Sequence, residues 1–447
     1  MSAPTAAKLE PLLHSRMNEA RARTDMLFDL LTADSLYDRP IPERHRMIFY
    51  LGHLEAFDWN LLSQPLDLAS NNPEFDKLFA FGIDPVGTGL PTDAPDDWPR
   101  IAQIKQYNGT IRRVLDDGVC NSRAFETGSP LADGILLNVA IEHRLMHAET
   151  LAYLLHNMPL DRKVPQPAPA LDPHPEPKQR LVEMPAGVAT LGLSRDGGEF
   201  GWDNESERAN IFVPAFAIGT FPVTNAEYLK FVEAGGYQEP KYWSNEDWKW
   251  RHQEQIDHPH FWLQRSELTT GDPNVHWEYR TMFGTVALPR SWPVFVSHAE
   301  ASAFCRWAGR KLPTEAQWHR AAYGTTKGLE RSYPWGEQEP DSSRGNFHHE
   351  RWTASPVDAH PAGASAFGVQ DLLGNGWEWT STPFGPLPDF KAFSFYPGYS
   401  ANFFDGKHFV MKGGSQRTDS CMLRRSFRNW FQPNYPYIYS TFRCVEE

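Results

Sequence analysis

The chain has 447 residues and a formal net charge of −13, from 56 acidic against 43 basic side chains. That length exceeds one ordinary domain and points to two, and the acidic balance argues against nucleic acid or an anionic membrane surface as a partner. Four cysteines without a CxxC exclude a dense disulfide framework; with no apolar run of membrane-spanning length and no signal-peptide pattern at the start, a cytoplasmic protein is expected.

A first helical run is predicted over about Leu9 to Leu31 and is broken by Asp34-Ser35. A second covers about Glu43 to Leu62. In it His53 follows Phe49 by one turn and precedes Phe57 by another, so it belongs to the apolar face and points inward. A lone inward histidine reads first as a core residue satisfied by a hydrogen bond. Residues 63–98 read as an irregular excursion, with Asp and Pro clustered from Pro91 to Pro99. A third helix is predicted over about Arg100 to Asp116.

The fourth helix, Ile135 to Asn157, repeats apolar residues at helical spacing through Leu136, Val139, Ala140, Leu151, Leu154 and Leu155. It carries His143 and His147, whose spacing of four puts both imidazoles on one face, where two histidines can hold one metal ion. Alone, the pair reads first as two histidines on a partly solvated face. His53, inward on another helix, supplies a third ligand and turns the reading towards a metal site in the core of a four-helix bundle. Glu55, Glu142 and Glu149 read first as solvated helix-face residues, and alternatively as groups that orient imidazole N–H bonds.

Between Pro159 and Pro177 there are seven prolines among polar residues, an extended, stiff composition that marks a domain boundary. The expected division is a helical domain over 1–158, a linker over 159–180 and a second domain over 181–447. In the second, strands are short and glycine and proline frequent; the chain's 16 Trp, 15 Tyr and 28 Phe suit such a loop-rich domain pinned by buried rings. Helices are predicted at Ala299 to Ala308, capped by Ser297, and at Thr314 to Ala322, with Thr314 and Gln317 at capping-box spacing. The nucleotide and serine-hydrolase motifs GxGxxG, P-loop and GxSxG do not occur.

The run from Val296 through Cys305-Arg306-Trp307-Ala308-Gly309 and Leu312-Pro313-Thr314-Glu315 to Trp318, with Leu373-Gly374-Asn375-Gly376-Trp377-Glu378-Trp379 and Lys412-Gly413-Gly414-Ser415, resembles the formylglycine-generating-enzyme fold. The resemblance implies a C-type-lectin-like α+β domain with little regular structure. The cysteine pair of the formylglycine-generating enzymes themselves is not matched: after Ser415 a single cysteine, Cys421, follows out of position. A helical DinB-like domain bearing His53, His143 and His147, joined to this second domain, is similar to the sulfoxide synthases of ergothioneine biosynthesis and their ovothiol and selenoneine relatives. Gly201-Trp202-Asp203-Asn204-Glu205, Pro222-Val223-Thr224-Asn225 and Ser426-Phe427-Arg428-Asn429-Trp430 fit that branch. The implied fold class is therefore α + (α+β), a DinB-like four-helix bundle followed by a C-type-lectin-like domain.

These enzymes use iron(II) and O2 to attach sulfur or selenium to an imidazole carbon, and the resemblance assigns His53, His143 and His147 to the iron. Asn429 and Trp430 are implied in the pocket for hercynine, the trimethylated histidine substrate; a quaternary ammonium is held by aromatic faces, so Trp377 and Trp379 join Trp430 as candidates. Met146 stands where some ergothioneine enzymes have a substrate-contacting glutamine, and Phe431 where the mycobacterial type has an acid. A catalytic tyrosine is implied within Phe390 to Ser400; alignment puts Phe395 there, with Tyr396 and Tyr399 beside it as candidate proton donors and Tyr107, Tyr435, Tyr437 and Tyr439 as further ones. Without the acid at 431 a charged γ-glutamylcysteine loses a counter-charge, which favours a neutral selenosugar donor and a selenoneine synthase. The alternatives are an ergothioneine sulfoxide synthase using cysteine or γ-glutamylcysteine, a DinB-type metal-dependent thiol transferase, and a lectin-like binding module in which the histidines are structural.

Overall fold

A computed structural model describes residues 6–80, 90–121, 125–126, 131–171, 174–264 and 276–447. The chain divides into two compact units, Met1–Gln166 and Pro167–Glu447. The division falls inside the expected linker. Residues 160–164 are held in the first unit: Leu31 bridges to Lys163, Val164 N–H donates to Leu30 O at 2.8 Å, and buried Lys163 donates from Nζ to Leu155 O at 3.0 Å. Residues from His174 onward are held in the second, through His174–Asp358 at 2.7 Å and Gln179 against Phe221. Residues 172–173 of the linker and 81–89 of the expected excursion lie outside the described residues.

The first unit is helical: α1 Ala6–Phe28, α2 Met47–Leu62, the short α3 Pro73–Leu78, α4 Ile101–Asn121 and α5 Ile135–Asn157. α1 packs on α5, and α2 on both α4 and α5. α3 lies in the expected irregular excursion; Asn72 caps it by accepting from Phe75 N–H, and Pro73 occupies its first turn, where the missing N–H costs nothing. α2 and α5 are buried nearly all round, the signature of helices interior to a core rather than laid on its surface. Polar groups on them are therefore in the core as well, among them Glu55, Asp58, Glu142, Arg144 and the three histidines.

In the second unit β1 Leu181–Met184 precedes the hairpin of β2 Gly187–Leu191 and β3 Ala209–Val213, and then β4 Phe216–Gly219. α6 Asn225–Glu233 and α7 Asn245–Gln253 lead to a three-stranded antiparallel sheet of β5 Trp262–Gln264, β6 Trp277–Thr281 and β7 Gly284–Ala287. α8 His298–Trp307 and α9 Glu315–Tyr323 follow, and then β8 Gly376–Pro383, β9 Phe409–Gly414, β10 Asn429–Phe431, β11 Ser440–Thr441 and β12 Val445–Glu446. One sheet runs β10-β9-β8-β11 and another β1-β4-β12. Thr224 with Glu227, Ser297 with Glu300 and Thr314 with Gln317 form capping boxes that start α6, α8 and α9. The core gathers Phe216, Ile218, Trp318, Phe347, Leu372, Leu423 and Val445. Irregular stretches are pinned by buried ion pairs such as Arg443–Glu378 at 2.6 Å and Arg428–Glu315 at 2.9 Å. Among the described residues no helix is long and apolar enough to cross a membrane.

Candidate metal centre

His53 on α2 and His143 and His147 on α5 converge. One ring nitrogen from each lies within 4.8 Å of the others, and the residues are 1, 5 and 0 % exposed. The ring centroids are 4.5 to 5.3 Å apart and the planes meet at 64 to 74°, so the rings approach one another edge to face. Two of them carry an aromatic brace: Phe49 stacks on His53 at 4.8 Å and Phe57 on His143 at 3.4 Å.

Hydrogen bonding defines which nitrogen is available. His53 Nδ1 lies 2.7 Å from Phe79 O; a carbonyl only accepts, so Nδ1 carries the proton and Nε2 keeps its lone pair. That Nε2, His143 Nδ1 and both nitrogens of His147 are buried without a hydrogen-bond partner. An orphaned buried polar atom costs about 1–3 kcal/mol, and a ring nitrogen from each histidine lies close enough to the others for one shared ion to satisfy all three rings. Burial pushes His53 down to about 4, and holds His143 and His147 well below the ordinary histidine value. The three are thus neutral imidazoles near pH 7, the donor form that ligates a divalent transition metal. The residues fit such an ion.

Glu55, expected on a solvated face, is 1 % exposed. Burial alone would raise its carboxyl, but Arg144 and Arg112 outweigh that and draw it down to about 2. Its oxygens lie 2.9 Å from Arg144 and 2.6 Å from Arg112, so it serves the arginines rather than an imidazole. Glu142 is buried too, and Glu149 half-buried. Met146, one residue before His147, is half-buried, its direction turned by about 100° from that of His147.

In the second unit, Tyr399 faces Trp202 at 4.0 Å and meets Trp430 edge-on at 5.4 Å, while Trp430 stacks on Phe384 at 4.1 Å. Tyr396 joins at 5.5 Å from Tyr399. Burial, with Asp203 nearby, pushes the Tyr396 phenol up to about 12, so it holds its proton at neutral pH. Ser400 Oγ donates to Asp203 Oδ1 at 2.5 Å and ties this loop to the Gly201–Glu205 turn. No local sequence signal makes Trp202, Asp203 and Phe384 neighbours of these tyrosines; Trp202 and Asp203 stand out only through the Gly201–Glu205 family motif, and Phe384 through none.

Other expected residues fall elsewhere. Asn429 accepts at Oδ1 from Trp430 N–H at 2.9 Å, yet strand alternation sends Trp430 to one face of β10 and Asn429 and Phe431 to the other. Phe431 faces Phe409 across the strands and stacks on Tyr435 at 5.3 Å. Phe395 is 41 % exposed and stacks on Phe393, which lies 6.4 Å from Trp202, so it borders the ring cluster without a ring contact to Trp430 or Tyr399 among the described residues. Trp377 is buried beside Phe427 at 5.9 Å. Trp379 is fully buried with its indole N–H given to Val296 O at 2.9 Å, which removes it as a ligand-facing ring. Tyr107 donates to Asp76 at 2.7 Å and Tyr439 lies in the core, so neither is poised as a proton donor. Tyr437 sets its edge against His260 at 5.0 Å.

The Sulfatase-modifying factor enzyme 1-like domain matches residues 167–447. The chain is 34% identical to a hercynine oxygenase of Mycolicibacterium smegmatis over 83% of each chain. The ergothioneine sulfoxide synthase family is therefore the one this chain belongs to. It is 35% identical to the hercynine oxygenase of Mycolicibacterium thermoresistibile, over 77% of this chain and 74% of that one. To ergothioneine biosynthesis protein 1 of Neurospora crassa it is 29% identical over 94% of this chain and 56% of that protein. For this member of the ergothioneine sulfoxide synthase family, the M. smegmatis alignment is longer than the matched domain and so runs into the helical unit that holds the histidines.

Proposed function

We propose that this chain is a nonheme iron(II)- and O2-dependent enzyme that joins a chalcogen donor to an imidazole carbon of hercynine, with a selenosugar as the preferred donor. The observation that carries the metal part is the set of buried, partnerless nitrogens of His53, His143 and His147. The relatives named hercynine oxygenase support hercynine as the substrate. They also weigh against a plain thiol transferase or a binding module. A bound iron(II) would supply O2 chemistry and acidify the donor's Se–H or S–H. Replacing the imidazole C–H and chalcogen–H bonds by a carbon–chalcogen bond is a two-electron oxidation; O2 takes two further electrons by leaving one oxygen atom on the chalcogen, as the sulfoxide or selenoxide, and its other oxygen atom leaves with the two protons as water.

The chain's own groups have definable tasks. His53, His143 and His147 hold the ion as neutral donors, and the rings of Phe49 and Phe57 lie flat against two of them. Trp430, stacked on Phe384 and half-buried, offers an aromatic face suited to a quaternary ammonium. Tyr396 carries a phenolic proton at Oη at working pH; with Tyr399 beside it, it is the proposed proton donor.

Donor choice rests on Phe431. Its neighbours Tyr435 and Phe409 are aromatic, a wall suited to the apolar face of a sugar ring and a poor counterpart for an ammonium group. The second reading is an ergothioneine sulfoxide synthase that uses cysteine or γ-glutamylcysteine. Protein loaded anaerobically with iron(II) and hercynine, then given O2 with each donor in parallel and read by product mass, separates the two. A selenosugar ahead of γ-glutamylcysteine by at least about tenfold in kcat/KM, ~1.4 kcal/mol, is expected; γ-glutamylcysteine as the preferred donor would restore the second reading.

A further inference from the structure

We propose that Arg144 is a positioning residue for the histidine cluster, and that it sets the spacing and register between α2 and α5 on which the cluster's affinity for a divalent cation depends. The proposal rests on the reading of His53, His143 and His147 as ligands. The ligands come from two helices about ninety positions apart in the chain, and a metal site tolerates only about 0.5 Å of misplacement. Something must hold α2 and α5 to that tolerance beside the histidines themselves.

Arg144 directly follows His143 on α5, and its guanidinium reaches across to α2. Nη2 donates to Leu54 O at 3.0 Å, to Glu55 Oε2 at 2.9 Å and to Asp58 Oδ2 at 2.5 Å, and Nη1 donates to Glu55 Oε1 at 3.1 Å. Leu54 is the residue after His53, so this fork joins the backbone beside one ligand to the residue beside another. Arg144 and Asp58 are fully buried and Glu55 is 1 % exposed. Glu55 is in turn held by Arg112, which grips Asp25 of α1 at 2.6 and 2.7 Å. The brace therefore reaches α1, α2, α4 and α5.

Stability alone does not explain such a group. Apolar residues of equal volume in place of a buried ion-pair network are often neutral or stabilising, and what the charged version adds is one permitted register. The planar guanidinium is what permits it: a lysine ammonium has three donors, but they rotate about a point charge and lack the rigid fork that fixes the angles to two carboxylates and a carbonyl.

The test uses the full chain with cobalt(II) as the probe, its affinity measured by competition with a chelator and its geometry by visible d–d absorption. The variants are Arg144→Lys, Arg144→Met and Asp58→Asn, with far-UV circular dichroism and thermal melting to confirm the fold. Folded Arg144→Lys is expected to bind cobalt about 10–100-fold more weakly, with a shifted d–d spectrum, and Asp58→Asn to lie between it and the unsubstituted protein. Should Arg144→Met fail to fold, the two milder variants carry the test. Unchanged affinity and spectrum in folded Arg144→Lys and Asp58→Asn would overturn the proposal. A cobalt spectrum that persists in His147→Ala, or is absent from the unsubstituted protein, would instead overturn the histidine reading and the proposal with it.

Discussion

The ring of Phe57 lies flat on that of His143, centroids 3.4 Å apart and planes 12° apart. Phe57 is half-buried on α2 and His143 is buried on α5, so the stack fixes the tilt of an imidazole from the neighbouring helix. Phe57→Leu keeps volume and apolarity, and its cost to stability should stay below about 1.5 kcal/mol. Losing the flat surface frees the imidazole to rock, and cobalt(II) affinity should fall by roughly 3–10-fold, towards the lower end of effects seen for groups supporting a ligand. Equal affinity in the variant would mean that Phe57 only fills space.

Gly52 precedes His53, and a Cβ placed there would stand 2.6 Å from the Phe79 ring. Phe79 is fully buried, and its carbonyl accepts the hydrogen bond from His53 Nδ1–H. Gly52→Ala must push that ring aside, at about 1–3 kcal/mol for overpacking, and loosen the bond that selects the His53 tautomer. A lower Tm with weaker cobalt binding is expected; a lower Tm with unaltered binding would separate the two effects and refute the coupling.

His298, at the start of α8, stacks on Phe409 at 3.8 Å. Burial, with a smaller contribution from the Arg306 charge, pushes it down to about 3, below the ~6.5 of an unfolded histidine. The unfolded state therefore binds the extra proton first as pH drops. The stabilising contribution is complete above about pH 6.5 and is lost as pH falls from there towards 3. Urea unfolding at pH 7 and pH 5 should show the native protein losing about 2 kcal/mol more than His298→Phe. Parallel pH dependence in the two proteins would contradict this.

Phe431 is half-buried against Tyr435. Under the proposed function, Phe431→Asp should help a donor that carries an ammonium and shrink the selenosugar preference by roughly tenfold, ~1.4 kcal/mol. Competition between the two donors in one reaction, with products separated by mass, measures the ratio. A preference that does not move would show that position 431 has no part in donor choice.

Local signals are legible in the sequence. The expected bounds of α5, Ile135 to Asn157, match the structure, because its apolar repeat is continuous and Met158-Pro159 turns to extended backbone. The caps at Ser297 and Thr314 were legible for the same local reason. Thr224-Asn225-Ala226-Glu227 carries an equal local signal and starts α6. Long-range pairing was not legible. Nothing near Glu55 announces that Arg144, 89 residues later, will bury it. Trp202 meets Tyr399, and Cys305 lies 3.3 Å from Cys444 at Sγ, only after the chain has folded back across most of the second unit. The inward direction of His53 is legible from its own helix, but the Phe79 carbonyl that fixes its tautomer lies beyond α2.

The pairing of β12 with β4, Val445 opposite Ile218, has a consequence for the order in which the protein is made. At a synthesis rate of about 5–20 residues per second, Ile218 waits roughly 10–45 s for its partner to be translated. Through that interval the nascent second unit exposes an unpaired edge and part of an aromatic core. The helical unit, with its histidines, is complete long before. Chaperone demand should therefore concentrate on the second unit, during the interval before residue 445 leaves the ribosome.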